Sequence, residues 1–293
     1  MKQVTVIIPN YNGKEYLMEC VGSVTENTKI PVDIIVVDNG SQDGSAQEIK
    51  LHYPQVNVIL LGKNYGFSRA VNEGIRVANT PYVLLLNNDT KIKSGFVEYL
   101  LHRIKSDSKL FSVEAKMLQY HQKDRIDSAG TFYNLLGWAR ARGKGQPAYK
   151  YEKACYTFAA CAGAAIYRKK IFDEIGLFDE DYFAYLEDID IGYRAKKYGY
   201  RNAYEPKAVV YHVGSAASGS RYNAFKVKIS ARNNIYLIYK NMSKIQIIMQ
   251  FPFLLTGFLI KALFFLRMGY GKEYLSGLTE GIRDCKETQF DKE

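Results

Sequence analysis

Acidic side chains stand at three places in this chain where chemistry is possible. Asp38 follows the apolar run Ile34-Ile35-Val36-Val37. Asp89 follows Tyr82-Val83-Leu84-Leu85-Leu86 and the two amides Asn87 and Asn88. Glu187, Asp188 and Asp190 cluster where a helical pattern begins. A hard carboxylate oxygen such as that of Asp89 suits Mg²⁺ or Mn²⁺ carrying a phosphate. Asp38 can accept the ring N–H of a uracil or thymine, and Tyr11 can stack on such a ring. A carboxylate within hydrogen-bond reach of an acceptor hydroxyl can take its proton as that hydroxyl attacks. Each group also has a plainer reading. Asn and Asp initiate turns through bonds to backbone, and acids in a first helical turn favour the helix dipole.

The elements needed to position these groups are legible in the same pattern. Val4 to Ile8, Val32 to Val37, Val56 to Leu61 and Tyr82 to Leu86 read as buried strands, the first ended by Pro9. Unbroken apolar runs of this kind mark strands covered on both faces. Between them, Leu17, Cys20, Val21 and Val24 recur at helical spacing, as do Phe67, Ala70, Val71, Gly74, Ile75 and Ala78. Ser45-Ala46-Gln47-Glu48 has the form of a capping box opening a short helix. Strands alternating with helices predict an α/β fold with a doubly wound, mainly parallel sheet. In such sheets ligands bind beyond the carboxyl ends of the strands, which is where Pro9 to Asn12, Asp38 and Asp89 fall. No GxGxxG or GK[ST] motif follows the first strand, which argues against a dinucleotide cofactor or a P-loop.

The second half is less regular. Val97 to Ile104 and Glu187 to Tyr198 read as helices, and residues 110 to 118 as a strand. Tyr156 to Tyr167 is apolar and broken by Gly163. Ala208 to Tyr211 reads as a short strand ending at His212, before a Ser/Gly loop from Gly214 to Ser220. A basic loop runs from Arg140 to Lys150 and can meet a phosphate.

Composition narrows the partners. The chain has 293 residues, 47% hydrophobic, enough for a large core. A net charge of +10, from 40 basic and 30 acidic residues, points to an anionic partner. The basic residues spread over loops and the C-terminal region, so no nucleic-acid-binding helix or sheet face is formed and nucleic acid is not expected. Tyrosine is abundant at 24, against one tryptophan, which suits stacking on sugars and bases. Cys20, Cys155, Cys161 and Cys285 form no CxxC pair and read as reduced thiols of a cytoplasmic protein. The first strand begins at once, so no signal peptide is expected.

The stretches Val-Ile-Ile-Pro-Asn-Tyr-Asn from Val6, Val-Val-Asp-Asn-Gly-Ser from Val36, Asn64-Tyr65-Gly66-Phe67-Ser68-Arg69 and Leu-Leu-Asn-Asn-Asp ending at Asp89 occur in order. Together they resemble the family 2 glycosyltransferases of the GT-A fold, most closely the rhamnosyltransferase-like branch. The likeness covers about residues 4 to 240. It implies inverting transfer of a sugar from a nucleoside diphosphate donor, a UDP- or dTDP-sugar, with dTDP-L-rhamnose favoured by the branch. It implies nucleotide-sugar contacts at Pro9, Asn10, Tyr11, Asn12, Asp38, Asn64 and Asn88; Arg69, in the same strand–helix connection as Asn64, can reach a phosphate or stand as an exposed helix residue. By the same likeness Asp89 is the metal-binding acid for Mg²⁺ or Mn²⁺, and His212 can complete that site. The family often has Asp-x-Asp where this chain has Asn87-Asn88-Asp89, which leaves one carboxylate. Glu187-Asp188-Ile189-Asp190 resembles the family signature in which the acid after Glu is the catalytic base. That role falls to Asp188, with Glu187 positioning the acceptor. Asp190 and Arg194, four apart on a helix, read as a structural pair. The alternatives are a donor-binding but catalytically degenerate paralogue and a metal-dependent nucleotidyltransferase.

The reading divides the chain into a nucleotide-sugar half (1–105), an acceptor-binding and catalytic half (106–222) and a C-terminal helical extension (223–293). Residues 245 to 266 are almost continuously apolar and long enough to span a bilayer. Lys261 and two glutamines interrupt them, and a charge near mid-membrane costs about 2.5–3.5 kcal/mol on insertion scales. Lys240, Lys244, Arg267 and Lys272 flank the stretch, which suits an anchor lying on an anionic leaflet. A homodimer contact is the other use of such a face. The expected partners are therefore the donor, a saccharide acceptor carried on a lipid, and the inner face of the cell membrane.

Overall fold

The computed structural model describes residues 1–214 and 222–287. The Ser/Gly loop expected from Gly214 to Ser220 lies, from residue 215 onward, outside the described residues. The first half alternates as the sequence requires: β1 (Val4–Asn10), α1 (Lys14–Asn27), β2 (Val32–Asp38), α2 (Ser45–His52), β3 (Asn57–Leu60), α3 (Phe67–Val77) and β4 (Tyr82–Leu86). These four strands pair in parallel, in the order β4-β1-β2-β3. Buried clusters cover both faces of β1, β2 and β4, which is why these strands read as unbroken apolar runs. Strand β3, expected buried, is instead the edge strand, with Asn57 and Leu60 exposed.

The chain continues through β5 (Thr90–Ile92), α4 (Phe96–Lys105), β6 (Leu110–Gln119), β7 (Ile126–Ser128), β8 (Thr131–Tyr133), β9 (Ala139–Ala141), β10 (Cys155–Thr157), β11 (Ala164–Arg168), α5 (Phe172–Ile175), α6 (Glu187–Lys197) and β12 (Arg201–His212). Strand β11 is antiparallel to both β4 and β6, and β12 runs parallel to β6. Six of the ten strands, β1 to β4, β6 and β12, run in the same direction, so the sheet is mainly parallel in strand direction. The carboxyl ends of β1, β2, β4, β6 and β12 share one edge. Short β5 carries the chain from β4 across that edge and pairs Thr90 with His212. This one register brings together two residues far apart in sequence, Asp89 and His212.

Four local expectations are corrected. Pro9 does not end β1: it lies in register with Val37, beyond the point where pairing with β4 stops at Ile7. Its missing N–H leaves no ladder bond unmade on that side. The strand read as 208–211 begins at Arg201, and a register shift between Glu205 and Val209 around Pro206 hides its length. The basic loop contains β9 and a 3₁₀ turn at Ala148–Tyr151. Ser45 does not cap α2. The helix starts after Gly44 with no side-chain cap, and the Ser45 hydroxyl serves Asn10 instead.

The C-terminal helices are α7 (Ala224–Asn241), α8 (Lys244–Arg267) and α9 (Gly271–Glu287). Helices α7 and α9 pack closely because α9 presents bare Cα atoms: a Cβ on Gly277 would lie 2.2 Å from the Lys228 carbonyl oxygen, and one on Gly281 2.8 Å from that of Arg232. Ser243 and Gln246 form a capping box at the start of α8. Helix α8 is about 36 Å long at 1.5 Å per residue. Its mean hydropathy is 1.9 in an 18-residue window, and it is the one helix among the described residues long and apolar enough to cross a membrane. Only Leu254 and Gly257 of it are buried.

Candidate active site

Beyond the strand ends lies a cavity of about 950 Å³, lined by Pro9, Asn10, Tyr11, Asn39, Asn64, Asn88, Asp89, Glu187, Asp188 and His212, among others. The β1 side is built as a polar lattice. The Asn10 amide donates to Asp38 Oδ1 (3.1 Å) and to the Ser45 hydroxyl (2.8 Å). Asn10 Oδ1 accepts from the Asn88 amide at 2.7 Å. Asp38 Oδ2 accepts the Ser41 N–H at 3.1 Å. Asn39 donates to Asn64 Oδ1 at 3.0 Å and accepts the Tyr65 N–H at 2.9 Å. The tips of β1, β2 and β4 and the loop before α3 are tied to one another through these side chains.

At the β4 and β12 tips, His212 Nε2 lies 3.2 Å from Asp89 Oδ1, and His212 Nδ1 lies 2.8 Å from Asp127 Oδ2. Asp127 also pairs with Lys144 at 3.1 Å. Burial works to lower the imidazole pKa, but the Asp127 and Asp89 carboxylates outweigh it and push it up to about 9. Burial works to raise the Asp127 carboxyl, and His212 and Lys144 pull it down to about 2. A carboxylate on Nδ1 fixes the ring orientation and turns Nε2 toward Asp89, an arrangement typical of imidazoles that ligate cations. A divalent cation can replace the proton shared between Nε2 and Asp89. Among the described residues no three His, Cys, Asp or Glu side chains form a closed cage. The donor set therefore suits a cation that completes its shell with phosphate oxygens and water, as Mg²⁺ and Mn²⁺ do.

Glu187 and Asp188 open α6. Asp188 Oδ1 accepts the Ile189 N–H at 2.8 Å. Glu187 is buried and its Oε2 has no hydrogen-bond partner among the described residues. Burial raises both carboxyls well above the ordinary range, with Asp188 charge adding to the effect at Glu187 and the charge of Glu114 at Asp188. The segment that delivers them is strained: Phe183, Tyr185 and Leu186 all have positive φ, 61°, 71° and 69°. Side chains other than Gly rarely adopt this region, at about 1–3 kcal/mol each. The strain is held from outside. The Asn233 amide of α7 lies 2.9, 2.8 and 2.7 Å from the carbonyls of Tyr182, Ala184 and Tyr185. The first turn of α3 also donates to the Phe183 carbonyl, at 2.6 Å from the Phe67 N–H.

The family model for glycosyl transferase family 2 matches residues 5–176. The chain belongs to glycosyl transferase family 2. It is 27% identical, over 73% of its length and 77% of the relative's, to an N-acetylglucosaminyl-diphospho-decaprenol L-rhamnosyltransferase of Mycobacterium tuberculosis. It is 28% identical to the uncharacterized glycosyltransferase YwdF of Bacillus subtilis, covering 75% of this chain and 77% of that one. Among solved structures it is similar to GalNAc-T7 with UDP, GalNAc and Mn²⁺ (TM-score 0.65, 17% identity, 81% of this chain and 48% of that one). It is also similar to the mannosyltransferase PcManGT of Pyrobaculum calidifontis with GDP-Man and Mn²⁺ (TM-score 0.58, 15% identity, 99% and 88%). The fold is GT-A, with helices α7 to α9 added at the C-terminus.

The structure of this glycosyltransferase gathers Pro9, Asn10, Tyr11, Asn64, Asn88, Asp89, Glu187, Asp188 and His212 at one cavity. It does not bring three other candidates to the wall. Asp38 is buried behind Asn10, with both oxygens engaged by Asn10, Ser41 and Ser45. Asn12 accepts the Gln42 N–H on the exposed side of the first turn. Arg69 pairs with Glu73 (2.8 Å) and Glu180 (2.9 Å) and is not among the residues lining the cavity. The expected helix pair of Asp190 and Arg194 is formed at 2.8 Å.

Sequence reasoning passed over Asp127, Glu114, Asn39 and Asn233. Glu114 has a visible signal, an acid in the middle of an apolar strand. It is fully buried and accepts from Gly130, Thr131 and Cys161, as well as from Ser128. It thus ties β6 to the 128–131 segment and to Cys161, which line the same cavity as Asp188. Asn233 has no local signal, because its partners are carbonyls near residue 184. Replacing Asn233 by Ala removes its bonds to the Ala184 and Tyr185 carbonyls, while the Tyr182 carbonyl keeps the Ala184 N–H and Arg232. We predict a stability loss of about 1–3 kcal/mol. We further predict a lower turnover with donor affinity unchanged, since the loop it holds carries Asp188 and not the nucleotide. Urea unfolding, turnover and nucleotide calorimetry on the variant measure this. A stability loss with full turnover would limit Asn233 to folding.

Proposed function

We propose that this glycosyltransferase moves a sugar, with inversion, from a UDP- or dTDP-sugar to a saccharide acceptor carried on an isoprenoid lipid, in making a surface polysaccharide. The name of the mycobacterial relative favours dTDP-L-rhamnose as donor and a diphospho-lipid as acceptor carrier. The observation that carries the reading is one cavity holding Asp188 and Glu187 together with the Asp89–His212 pair. The acceptor hydroxyl attacks the anomeric carbon as the bond to the diphosphate oxygen breaks. Its proton passes to the Asp188 carboxylate, and the electron pair of the breaking bond leaves with the diphosphate. Glu187, buried and with a free oxygen, orients the acceptor. Asp89 and His212 would hold Mg²⁺ or Mn²⁺, which supplies neutralising charge to the departing diphosphate. Residues 1–105 supply the nucleotide side and 106–222 the base and the histidine.

The test is calorimetry of UDP, dTDP, GDP and CDP with and without Mn²⁺, followed by transfer from the matching sugar nucleotide and NMR of the product's anomeric configuration. Metal-dependent binding of UDP or dTDP with an inverted product is expected. Binding without transfer would mark a degenerate paralogue, and a retained configuration would sink the single-displacement mechanism.

The outer face of α8 is the membrane contact in this reading. Ile248, Met249, Leu259, Leu263 and Leu266 are exposed, Ile248 and Met249 by more than 70%. Lys244 and Arg267 lie at the ends of α8, and Lys272 lies in the first turn of α9. Single apolar side chains on a surface are ordinary, but a continuous stripe between basic ends suits an anionic leaflet. The enzyme then works peripherally on the cytoplasmic face. Ile248→Asp with Leu263→Asp is expected to abolish cosedimentation with phosphatidylglycerol vesicles and leave nucleotide binding intact. Unchanged sedimentation, or a wild-type dimer that the changes split, would assign the face to a second copy.

A further inference from the structure

The cavity has a basic wall that the donor chemistry does not use. Lys261 lines it from α8, Arg140 from β9 and Lys226 from α7. Lys144 lines it too, but is committed to Asp127. No carboxylate among the described residues lies within ion-pair distance of Lys261 or Arg140. The Lys261 ammonium instead rests 5.7 Å from the centre of the Trp138 ring. Its placement is fixed one turn earlier. Trp138 Nε1 donates to the Gly257 carbonyl at 3.3 Å. The bare Cα of Gly257 also sits against the Leu136 carbonyl, where a Cβ would come within 2.1 Å. Burial lowers the Lys261 pKa to about 8. A half-buried ammonium with no carboxylate partner is costly, and an anionic ligand reduces that cost.

The rest of α8 indicates which anion. Lys261 turns inward, while Leu259, Ile260 and Leu263 around it are exposed on the face assigned to the bilayer. Phe265 and Tyr274 continue the cavity wall beside it. A phosphate held at Lys261 therefore has an apolar route along the same helix for a hydrocarbon chain. A soluble donor has no use for such a route.

We propose that Lys261, with Arg140 and Lys226, forms a second anion subsite that binds the phosphate of the lipid-linked acceptor, separate from the donor diphosphate at Asp89 and His212. This rests on the proposed function, and it names the chemical class of the acceptor's carrier as an isoprenyl phosphate or diphosphate. The subsite would hold the acceptor saccharide in line with Asp188 by gripping its anchor. Glycosyl transfer to a free saccharide would then lack this contact.

Trp138 is the single tryptophan of the chain and adjoins the subsite, so its fluorescence reports occupancy. The full-length protein is titrated with farnesyl diphosphate while the donor nucleotide and Mn²⁺ are present in excess. Saturable quenching is expected in the wild type. Lys261→Met should weaken it by about tenfold or more, the loss of one charge-assisted contact. Lys261→Arg should retain it, which guards against a variant that fails to fold, and Arg140→Gln should weaken it independently. Farnesol should not saturate the signal, and short-chain phosphatidylglycerol should not compete. Lys261→Met binding as tightly as wild type would overturn the proposal. Equal affinity for farnesol would reduce the site to an apolar groove, and equal competition by phosphatidylglycerol would make it a headgroup site. Nucleotide calorimetry stands apart: its failure would remove the donor reading and leave these titrations valid.

Discussion

Asp188→Asn is expected to lower turnover by about 10²–10⁴-fold, the usual worth of a positioned general base, with the affinity for nucleotide unchanged. The amide keeps the shape and still accepts the Ile189 N–H, but cannot take a proton. In the wild type, turnover should fall as pH drops, because the base acts only when ionised. Burial raises the titration of Asp188 and Glu187 above the ordinary carboxylate range, so this fall begins nearer neutrality than for an exposed acid. Stability has the opposite sign. A folded-state pKa above the unfolded value means that the folded chain holds protons which the unfolded chain has released. Stability is then lost as pH rises from the unfolded value through the folded one. Asp188→Asn should therefore melt higher than wild type at pH 8 and no higher at pH 4. Turnover across pH and thermal melts at the two pH values check the pair of effects. A variant that keeps turnover within about tenfold would fall short of what a general base contributes and would move the base elsewhere.

The second large effect is at the strand tips. Asp89→Ala should abolish Mn²⁺-dependent binding of the donor nucleotide, since it removes the one carboxylate that faces His212 Nε2 from β4. Asp127→Asn should cost less, about 10–100-fold in metal affinity. The amide oxygen can still accept from His212 Nδ1, and only the charge is lost. The order of the two variants is the informative result. Calorimetry with Mn²⁺ and the nucleotide measures both. If Asp127→Asn were as severe as Asp89→Ala, Asp127 would itself be a ligand. If Asp89→Ala bound nucleotide with metal as wild type does, the metal site would have to be sought away from β4.

The expectation that Asp-x-Asp is reduced to one carboxylate takes on a physical sense in this arrangement. Asn87 stands where the first acid of that motif would be and lines the cavity, while Asn88, the middle residue, donates its amide to Asn10 and braces the β1 turn. Negative charge at the site comes instead from Asp127, through the ring of His212. The C-terminal region similarly has two faces. It was read as an extension, yet Lys226, Lys261, Phe265 and Tyr274 line the cavity and Asn233 holds the loop before α6.

The sequence by itself determined the alternating α/β half, the buried strands and the acids and amides at their ends. Those signals are local: a strand covered on both faces must be apolar throughout, and a turn beyond it must be polar. It also determined the apolar length of α8. Tertiary structure alone decided which polar residues meet. Asp89 faces His212 because β5 pairs with β12, and Asp127 reaches the same ring because β7 pairs with β6. Arg69 is withdrawn because Glu180, distant in sequence, packs beside α3. Asn233 matters because it satisfies carbonyls of a strained segment some fifty residues earlier in the chain. Periodicity reports which face of an element is buried, whereas the partner of a buried polar group is set by the sheet register and helix docking that close the fold.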